Sequence, residues 1–332
     1  MHTMKKQRIK GRAVLGLSIL LLVIAVLFSG LRIWESTVLD LEEVTQVSHT
    51  SKTVFRNGVE YFPKQDITVF MLLGIDESGP VSHSGSYNNS GETDLILLAI
   101  LEQTNAQLRI LALNRDTMAQ VPMLGVGGKY AGTYFEQLAL AHTYGSGLED
   151  SCENTRKAVS GLLDGIQIDY YLSMNMDAVS VLNDAVGGVT VEITEELNRD
   201  DPAFPVGRQR LQGEQALQFV QIRKGVGAQL NQERMQRQQV YLQGFLQAWQ
   251  ENAAQNSSQV LQLYEQIAPY LVTDCSLEVL SDFSSRISSY ELCEIVTPAG
   301  ENRLEKGHHA FYPDQEQLED LILRLFYAPK GR

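Results

Sequence analysis

Three short runs of apolar and β-branched residues limit what this chain can fold into more than any other feature of its sequence. They span residues 66–74, 94–101 and 108–113, lengths that suit strands better than helices. Runs that stay apolar at successive positions, instead of alternating, are typical of strands covered on both faces. Further predicted strands alternate with predicted helices. The sequence therefore predicts an α/β fold with a mixed central β-sheet and helices on both of its faces.

The other elements follow from residue periodicity and from breaks at glycine and proline. The second and third apolar runs are joined by a short turn, which predicts a β-hairpin. Further strands are predicted at 169–174, 189–193 and 294–297, with weaker strand character at 53–62. Helices are predicted at 134–144, 148–163, 177–186, 213–223, 230–250, 258–271, 277–289 and 314–326, and loops at 125–133 and 197–210.

The N-terminal part of the chain predicts a membrane anchor. Residues 13–31 form an uncharged apolar run of 19 residues, which is long enough to span a bilayer. The basic residues of the tail at 1–12 precede this run, so the positive-inside rule places that tail in the cytoplasm. A cleaved signal peptide is the alternative, but the sequence after the run offers no good small-residue cleavage site.

These features predict a single-pass protein of the cell membrane. The transmembrane signal-anchor would cover 13–31, a polar connector 32–65, and a domain outside the cell 66–327. The net charge of the whole chain is −13, and the part after the basic tail is more acidic still. Nonspecific nucleic-acid binding needs a basic surface, so we expect no nucleic-acid partner.

The three cysteines, Cys152, Cys275 and Cys293, match no metal-binding spacing. Since they would lie outside the membrane, a disulfide between Cys275 and Cys293 is one hypothesis.

A polar helical stretch at 229–239 carries the most distinctive functional signal. Arg234, Arg237 and Gln238 stand at i, i+3 and i+4, so one helical face presents all three side chains. Two guanidinium groups and an amide suit a phosphate or pyrophosphate, because the planar fork of arginine matches paired anionic oxygens. Taken alone, such a helix would more often be a solvated face.

Further polar residues stand at the ends of the predicted strands and helices. Asp76 follows the first apolar run, Asp94 opens the second, and Arg115 and Asp116 follow the third, while Arg223 ends a predicted helix. Each has an ordinary explanation as a turn residue, a strand start, a surface ion pair or a solvated helix end. Together, two carboxylates suit a divalent cation such as Mg²⁺, which is commonly shared with ligand phosphates.

Eight segments in order resemble the LytR-CpsA-Psr family of bacterial cell-envelope glycopolymer ligases. Those in the first half are 69–76 (VFMLLGID), 92–98 (ETDLILL), 113–117 (LNRDT) and 141–145 (AHTYG). Those further on are 168–171 (IDYY), 184–191 (DAVGGVTV), 211–217 (LQGEQAL) and 234–238 (RMQRQ). The resemblance covers roughly residues 66–250, and the remaining tail is compatible with it.

The resemblance implies an enzyme that transfers a glycan-phosphate from a polyprenyl-pyrophosphate carrier to a sugar hydroxyl of peptidoglycan, with magnesium. The metal ligands would be Asp76 and Asp94. The pyrophosphate would be held by Arg115, Arg223, Arg234 and Gln238, with Arg237 as a further candidate. Asp116 would orient Arg115 or act as a base, so the catalytic residues would be Arg115, Asp116 and Arg234. The lipid would lie in an apolar cleft between sheet and helices.

The chain also departs from the family pattern where the family is usually more polar or basic. The departures are Glu92, Gln137, Ala139, Gln221 and Asn231, and Lys129 is a candidate for a displaced cation. Three hypotheses therefore remain: the phosphotransferase, a catalytically weak envelope protein that binds lipid-linked precursors, and a polyprenyl-pyrophosphate hydrolase.

Overall fold

We describe a computed structural model of the protein, which covers residues 53–85, 91–200, 203–221, 230–252, 265–276, 279, 290–305 and 307–330. The predicted anchor at 13–31, Arg223 and most of the helices predicted at 258–271 and 277–289 lie outside these residues. In the part of the chain that is described, no helix is both long and apolar enough to cross a membrane.

The strands in chain order are β1 (Val54–Arg56), β2 (Val59–Pro63), β3 (Ile67–Ile75), β4 (Thr93–Glu102), β5 (Gln107–Leu113), β6 (Met118–Leu124), β7 (Tyr130–Gln137), β8 (Tyr170–Asn175), β9 (Val189–Ile193), β10 (Gly207–Leu211), β11 (Leu271–Thr273), β12 (Glu291–Val296), β13 (Gly300–Glu305), β14 (His308–Pro313) and β15 (Tyr327–Pro329). The α-helices are α1 (Glu149–Leu162), α2 (Asp177–Ala185), α3 (Glu195–Asp200), α4 (Glu214–Gln221), α5 (Leu230–Asn252) and α6 (Gln315–Phe326).

A six-stranded sheet forms the centre of the fold, in the order β11-β8-β3-β4-β5-β12. β3, β4 and β5 are antiparallel neighbours, whereas β8 runs parallel to β3 and β12 runs parallel to β5. The three apolar runs are thus adjacent strands, and the predicted hairpin between the second and third is confirmed. The sheet is mixed, as the sequence predicts.

Residues of β3 alternate between two hydrophobic cores, one on each side of the sheet. Met71 and Leu73 pack in a core with Val159 of α1 and Ile322 of α6. Phe70 belongs to the opposite core, against which Met235 and Leu242 of α5 pack. Because successive side chains of a strand point to opposite faces, an uninterrupted apolar run is what two covered faces require. The prediction of helices on both faces is confirmed.

A third hydrophobic core packs around α5. It joins α2, α4 and α5 to the small β9–β10 sheet, through Val189, Phe219 and Phe245 among others. α5 crosses β9 at Gly244, where a Cβ would clash with the carbonyl oxygen of Thr190. The absence of a side chain at this position therefore allows the helix to lie close to the strand.

Several predicted elements are wrong in type or extent. The helix predicted at 134–144 is instead the end of β7 followed by two 3₁₀ turns, Leu138–Leu140 and His142–Tyr144. The glycine-rich loop predicted at 125–133 largely belongs to the β6–β7 hairpin, since β7 begins at Tyr130. The aromatic pair Tyr134 and Phe135 favours a strand, and hairpin pairing outweighs the helical periodicity.

Other differences concern later segments. The loop predicted at 197–210 includes the end of α3 and most of β10. The helix predicted at 258–271 ends before its last residue, because Leu271 begins β11. The β13–β14 hairpin was not predicted at all. The side chains of β13 are mostly polar and exposed, and β14 buries only Ala310 and Phe311, so the apolar signal of the hairpin is short.

The connector predicted at 32–65 includes paired strands. β2 pairs with both β1 and β15, so residues 54–63 join the end of the chain at 327–329. The cysteines also differ from the disulfide hypothesis, because Cys152, Cys275 and Cys293 are all free thiols. Cys275 is buried in the core while Cys293 is exposed on β12.

We predict that Gly244→Ala lowers the free energy of unfolding by about 1–3 kcal/mol, because the added methyl group must push α5 away from Thr190. The matched control is Gly161→Ala in α1, where an added Cβ meets no atom within 4 Å and helix propensity favours alanine. Urea unfolding of both variants measures the difference. Equal stability of the two variants would show that α5 does not depend on this close approach.

Candidate functional site

The central sheet brings Asp94 and Arg115 together. Asp94 lies near the start of β4 and Arg115 lies just after the end of β5. These strands are antiparallel, with Ile96 opposite Leu113, so the beginning of one is adjacent to the end of the other. Residues that are 21 positions apart in sequence thus share one edge of the sheet.

The carboxylate of Asp94 joins the sheet to α5. An Nη1 donor of Arg115 contacts its Oδ1, and Nη1 of Arg234 donates to its Oδ2 at 2.7 Å. Asp94 is 5% exposed and Arg234 2% exposed. A carboxylate this deeply buried is costly unless it is paired, and here each of its oxygens meets a guanidinium group.

Arg115 is surrounded by three carboxylates. Besides Asp94, its Nη2 contacts Glu92, and its Nε lies 3.6 Å from Oδ1 of Asp116. Burial would lower the pKa of Arg115, but the adjacent Asp94, Glu92 and Asp116 raise it above its ordinary value. The guanidinium group therefore stays protonated at any working pH.

Gln137 connects Asp116 to the two peripheral hairpins. Its amide donates to Oδ1 of Asp116 at 3.2 Å and also to the backbone carbonyl of His309 on β14. The backbone of Asp116 in turn accepts a hydrogen bond from Phe311 at 2.8 Å. Asp116 is thereby held in place on the side of the site that faces the hairpins.

The face of α5 that carries Arg234, Arg237 and Gln238 is buried, so the interpretation of this helix as a solvated face is wrong. Arg237 is 1% exposed, and Gln238 is partly buried and lines a cavity. The Oε1 atom of Gln238 is buried and has no hydrogen-bond partner among the described residues.

An apolar cavity of about 160 Å³ lies between the sheet and α5 and borders the charged cluster. Its wall consists mainly of leucine, methionine, valine and aromatic side chains from β3, β4, β8, α2 and α5. The polar side chains that line it are Asp94, Asn175, Gln238 and Gln239. The cleft expected between sheet and helices is therefore present, and its lining is now defined.

Asp76 lies just beyond the end of β3 and is exposed. Its backbone N–H donates to the carbonyl oxygen of Glu92 at 2.9 Å, which places it beside the start of β4. Among the described residues, no group of three or more histidine, cysteine or acidic side chains is arranged to hold a metal. Asp76 and Asp94 would fit a magnesium ion only if water and ligand phosphate oxygens completed its coordination shell.

His142 is a functional candidate that sequence reasoning did not single out. Its Nδ1 lies 3.0 Å from the carbonyl oxygen of Gly91, next to Glu92. A carbonyl oxygen only accepts, so Nδ1 carries the hydrogen and the neutral ring has an acceptor at Nε2. Burial lowers the pKa of His142 to about 4. In the sequence, His142 is marked only by its position in the AHTYG segment at 141–145, one of the eight segments that resemble the family.

Two departures from the family pattern turn out to contact the predicted site residues. Glu92 pairs with Arg115, and Gln137 bonds to Asp116. Lys129, the candidate displaced cation, is exposed in the turn between β6 and β7. The structure thus brings together Arg115, Asp116, Asp94 and Arg234 and places Gln238 on the cavity wall, while Arg223 lies outside the described residues.

Comparisons with known proteins give a consistent picture. The LytR_cpsA_psr family model matches residues 36–326. An uncharacterized protein of Staphylococcus aureus is 23% identical over 91% of this chain and 72% of its own length. The polyisoprenyl-teichoic acid–peptidoglycan teichoic acid transferase TagU of Bacillus cereus is 29% identical over 54% of this chain and 55% of its own length. The chain thus spans about half the length of the named transferases it matches.

Solved structures share the fold. Protein gbs0355 from Streptococcus agalactiae superposes with a TM-score of 0.61 at 22% identity, covering 78% of this chain and 86% of that chain. TagT bound to LIIa-WTA superposes with a TM-score of 0.59 at 21% identity, covering 86% of this chain and 98% of that chain. The mixed α/β architecture is therefore that of these proteins.

We predict that Asp94→Asn lowers the free energy of unfolding by about 3 kcal/mol, because a buried carboxylate that balances two guanidinium groups is lost. The control is Glu301→Gln, which removes an exposed partner of Arg303 and leaves the urea midpoint unchanged. A stable Asp94→Asn protein would show that Glu92 and Asp116 alone compensate the arginines.

We predict a contribution of His142 to acid sensitivity. Its folded-state pKa, about 4, lies below the ordinary value of 6.5, so the unfolded chain binds the proton first as the pH falls. Stability is therefore unaffected above pH 6.5 and declines between pH 6.5 and 4, by about 3 kcal/mol in total. Urea unfolding across this range should show a shallower decline for His142→Asn. Identical pH slopes for the two proteins would contradict a buried neutral histidine.

Proposed function

This chain belongs to the LytR_cpsA_psr family, and we propose that it transfers a glycopolymer-phosphate from a polyprenyl-pyrophosphate carrier to a sugar hydroxyl of peptidoglycan. Its partners would be the lipid-linked glycan, peptidoglycan and the membrane. The predicted anchor at 13–31 would hold the domain outside the cell.

The observation that carries the proposal is the junction of an apolar cavity with a cluster of buried arginines. A polyprenyl chain is apolar and flexible, whereas its pyrophosphate is strongly anionic. A cavity lined by leucine, methionine and valine suits the first, and guanidinium groups suit the second. Asp94 and Gln238 both line the cavity, and Asp94 pairs with Arg115 and Arg234, so the two environments are directly adjacent.

In the proposed reaction, the acceptor hydroxyl attacks the phosphorus atom that carries the glycan. A new bond forms from the hydroxyl oxygen to phosphorus, and the bond from phosphorus to the bridging oxygen breaks. The carrier leaves as polyprenyl phosphate, and the hydroxyl proton passes to a carboxylate or to solvent. Arg115 and Arg234 stabilise the charge that develops on the leaving phosphate.

Asp116 and Gln238 have supporting roles in this proposal. Asp116 lies between Arg115 and Gln137, which suits orientation of the guanidinium group. Its alternative role is to accept the hydroxyl proton. Gln238 lines the lipid cavity, which suits a contact with the pyrophosphate, and the buried Arg237 is a further candidate for this contact.

Magnesium is part of the proposal, with Asp76 and Asp94 as its protein ligands. When bound, the ion would neutralise phosphate oxygens and polarise the phosphorus that is attacked. Asp94 contacts two guanidinium groups, so the ion would share this carboxylate with Arg115 and Arg234.

One observation favours the alternative of a catalytically weak binding protein. Arg115 already has three carboxylate neighbours, one of which is the departure Glu92. An incoming pyrophosphate must displace some of these contacts, which would weaken both binding and turnover relative to a more basic pocket. This alternative predicts that the lipid-linked precursor binds but is not consumed.

The experiment incubates the full-length protein in detergent micelles with a polyprenyl-pyrophosphoryl disaccharide and peptidoglycan oligomers. Reactions run with and without magnesium, and mass spectrometry identifies the products. We predict magnesium-dependent glycan-phosphate on peptidoglycan, and a loss of about 100-fold or more in rate for Arg234→Ala. The control is Arg303→Ala, which removes an exposed arginine on β13 and leaves the rate unchanged.

The products distinguish the three hypotheses. Free phosphorylated glycan would identify a hydrolase, because water would have replaced the sugar hydroxyl. Bound precursor without any product would identify the binding protein. Normal transfer by folded Arg234→Ala would refute the assignment of the site.

A further inference from the structure

The β6–β7 hairpin exposes aromatic side chains close to the charged cluster. Tyr130 is 67% exposed and Phe135 is 53% exposed, and both belong to β7. Exposed apolar residues that are scattered singly are ordinary, whereas several that lie together indicate an interaction site. The two rings therefore raise the question of what binds to this hairpin.

Strand pairing separates the two faces of β7. Phe135 is paired with Gln120, which is exposed, whereas Tyr134 is paired with Val121, which is fully buried. Side chains of directly opposed residues share a face, and successive side chains of one strand lie on opposite faces. Phe135 therefore belongs to the outer face of the hairpin, and Tyr134 belongs to the face of the core.

The outer face continues toward the tip of the hairpin. Thr133 stands two positions before Phe135 and thus on the same face. The hydroxyl groups of Tyr130 and Thr133 share a hydrogen bond at 2.8 Å, which holds the ring of Tyr130 beside Thr133. We call this surface the β7 strip, and its members, all exposed, are Gln120, Tyr130, Thr133 and Phe135.

The neighbouring hairpin supports the ring of Phe135. The ring centroids of Phe135 and Tyr312 of β14 are 6.4 Å apart. Tyr312 is itself fixed, because its hydroxyl donates to the carboxylate of Glu305 at 3.1 Å and the guanidinium group of Arg303 lies over its ring. Phe135 is therefore the open ring of the pair, and it lies against a fixed neighbour.

Gln137 connects the β7 strip to the charged cluster. It stands two positions after Phe135, on the same face of β7, and its amide donates to Oδ1 of Asp116 at 3.2 Å. Arg115 has Asp116 beside its Nε and Asp94, which lines the apolar cavity, beside its Nη1. The strip and the apolar cavity thus reach the same guanidinium group through different carboxylates.

This arrangement suits a reaction between two large substrates. Transfer requires that donor and acceptor are bound at the same time and in a fixed orientation. A lipid donor in the apolar cavity would approach Arg115 through Asp94 and leave the Asp116 side free for the acceptor. The surface that continues from Asp116 is the β7 strip.

The side chains of the β7 strip match an uncharged glycan chain. Aromatic rings stack on the apolar C–H faces of pyranose rings, while hydroxyl and amide groups exchange hydrogen bonds with sugar hydroxyls. Tyr130 and Phe135 supply the rings, and Thr133 and Gln120 supply the polar groups. With about 3.3 Å per residue, a strand of this length spans roughly 25 Å, which suits a chain of sugars better than a single one.

Other kinds of partner fit the strip less well. None of its four side chains is charged, whereas binding to anionic lipid headgroups depends on lysine and arginine. Its two rings are separated by a polar side chain, whereas the centre of a protein–protein interface is more continuously apolar. The chemistry therefore favours a glycan over a membrane surface or a protein.

We propose that the β7 strip is the docking surface for the glycan strand of peptidoglycan, with Tyr130 and Phe135 stacking on its sugar rings. The strip holds the acceptor so that a sugar hydroxyl approaches the reacting phosphorus from the side of Asp116. The inference rests on the proposed function for the reaction, whereas binding of a glycan strand is measured without any transfer.

Three substitutions in the full-length protein test the proposal. Phe135→Leu keeps an apolar side chain but removes the ring, and Phe135→Tyr keeps the ring. Tyr130→Ala removes the second ring of the strip. The matched control is Tyr134→Ala, which removes a ring that is 47% exposed from the opposite face of the same strand.

Calorimetry in detergent micelles measures binding of an uncrosslinked peptidoglycan fragment of several disaccharides, and urea unfolding verifies the fold of each variant. We expect Phe135→Leu and Tyr130→Ala each to weaken glycan binding about tenfold, because each loses a stacking contact. Phe135→Tyr and Tyr134→Ala should stay within twofold of the wild type. Affinity for polyprenyl pyrophosphate should be the same in all of them, and in the transfer reaction the KM for peptidoglycan should rise while kcat is kept.

Several outcomes would overturn the inference. These are a wild-type protein that does not bind the glycan fragment, unchanged glycan affinity in both Phe135→Leu and Tyr130→Ala, and an equal loss in Tyr134→Ala. Weaker binding of these variants to anionic phospholipid vesicles, with unchanged glycan binding, would assign the strip to the membrane instead.

Failure of the proposed function gives a different result. A wild-type protein that binds the glycan through Tyr130 and Phe135 but transfers nothing would count against the phosphotransferase and support the docking surface. Normal transfer together with unchanged glycan affinity and KM in the variants would support the phosphotransferase and refute the docking surface.

Discussion

The carboxylate of Asp94 is the contact on which the site depends. It pairs with the guanidinium group of Arg115, which follows the neighbouring strand, and with that of Arg234, which lies on α5. All three are buried, so none of these charges can be left without its partners at low cost. The ion pair therefore ties α5 to the end of the sheet, and α5 in turn covers the apolar cavity.

Charge balance explains why a site with few basic residues can still suit an anion. Arg115 and Arg234 are buried among carboxylates, and Glu92 adds a partner where the family is often basic. An anionic ligand would take over contacts that Glu92 and Asp94 make in the absence of ligand. Glu92 is the more exposed of the two carboxylates. Releasing Glu92 from Arg115 would therefore cost less than releasing Asp94, because less buried charge would lose its partner. In the proposed function, Glu92 would thus set how readily the site accepts a pyrophosphate.

Much of the fold could be predicted because its main signals are local. The runs that became β3, β4 and β5 are apolar on both faces, and helices α2 and α6 have clear apolar stripes. The failures concern segments whose structure depends on distant partners. β7 is a strand because it pairs with β6, and β13 is a strand because it pairs with β14, although most of the side chains of β13 are polar and exposed. Pairing between strands cannot be recognised from the residues of one segment alone.

The sequence by itself determined which residues have the chemistry of the site. The spacing of Arg234, Arg237 and Gln238 placed them on one helical face, and the strand ends gave Asp94, Arg115 and Asp116. Only the tertiary structure decided that this helical face is buried against the sheet, that Glu92 and Gln137 are partners of Arg115 and Asp116, and that His142 is buried beside Gly91. The reason is physical: residue type and periodicity are properties of short segments, whereas burial and charge pairing arise when segments far apart in sequence meet.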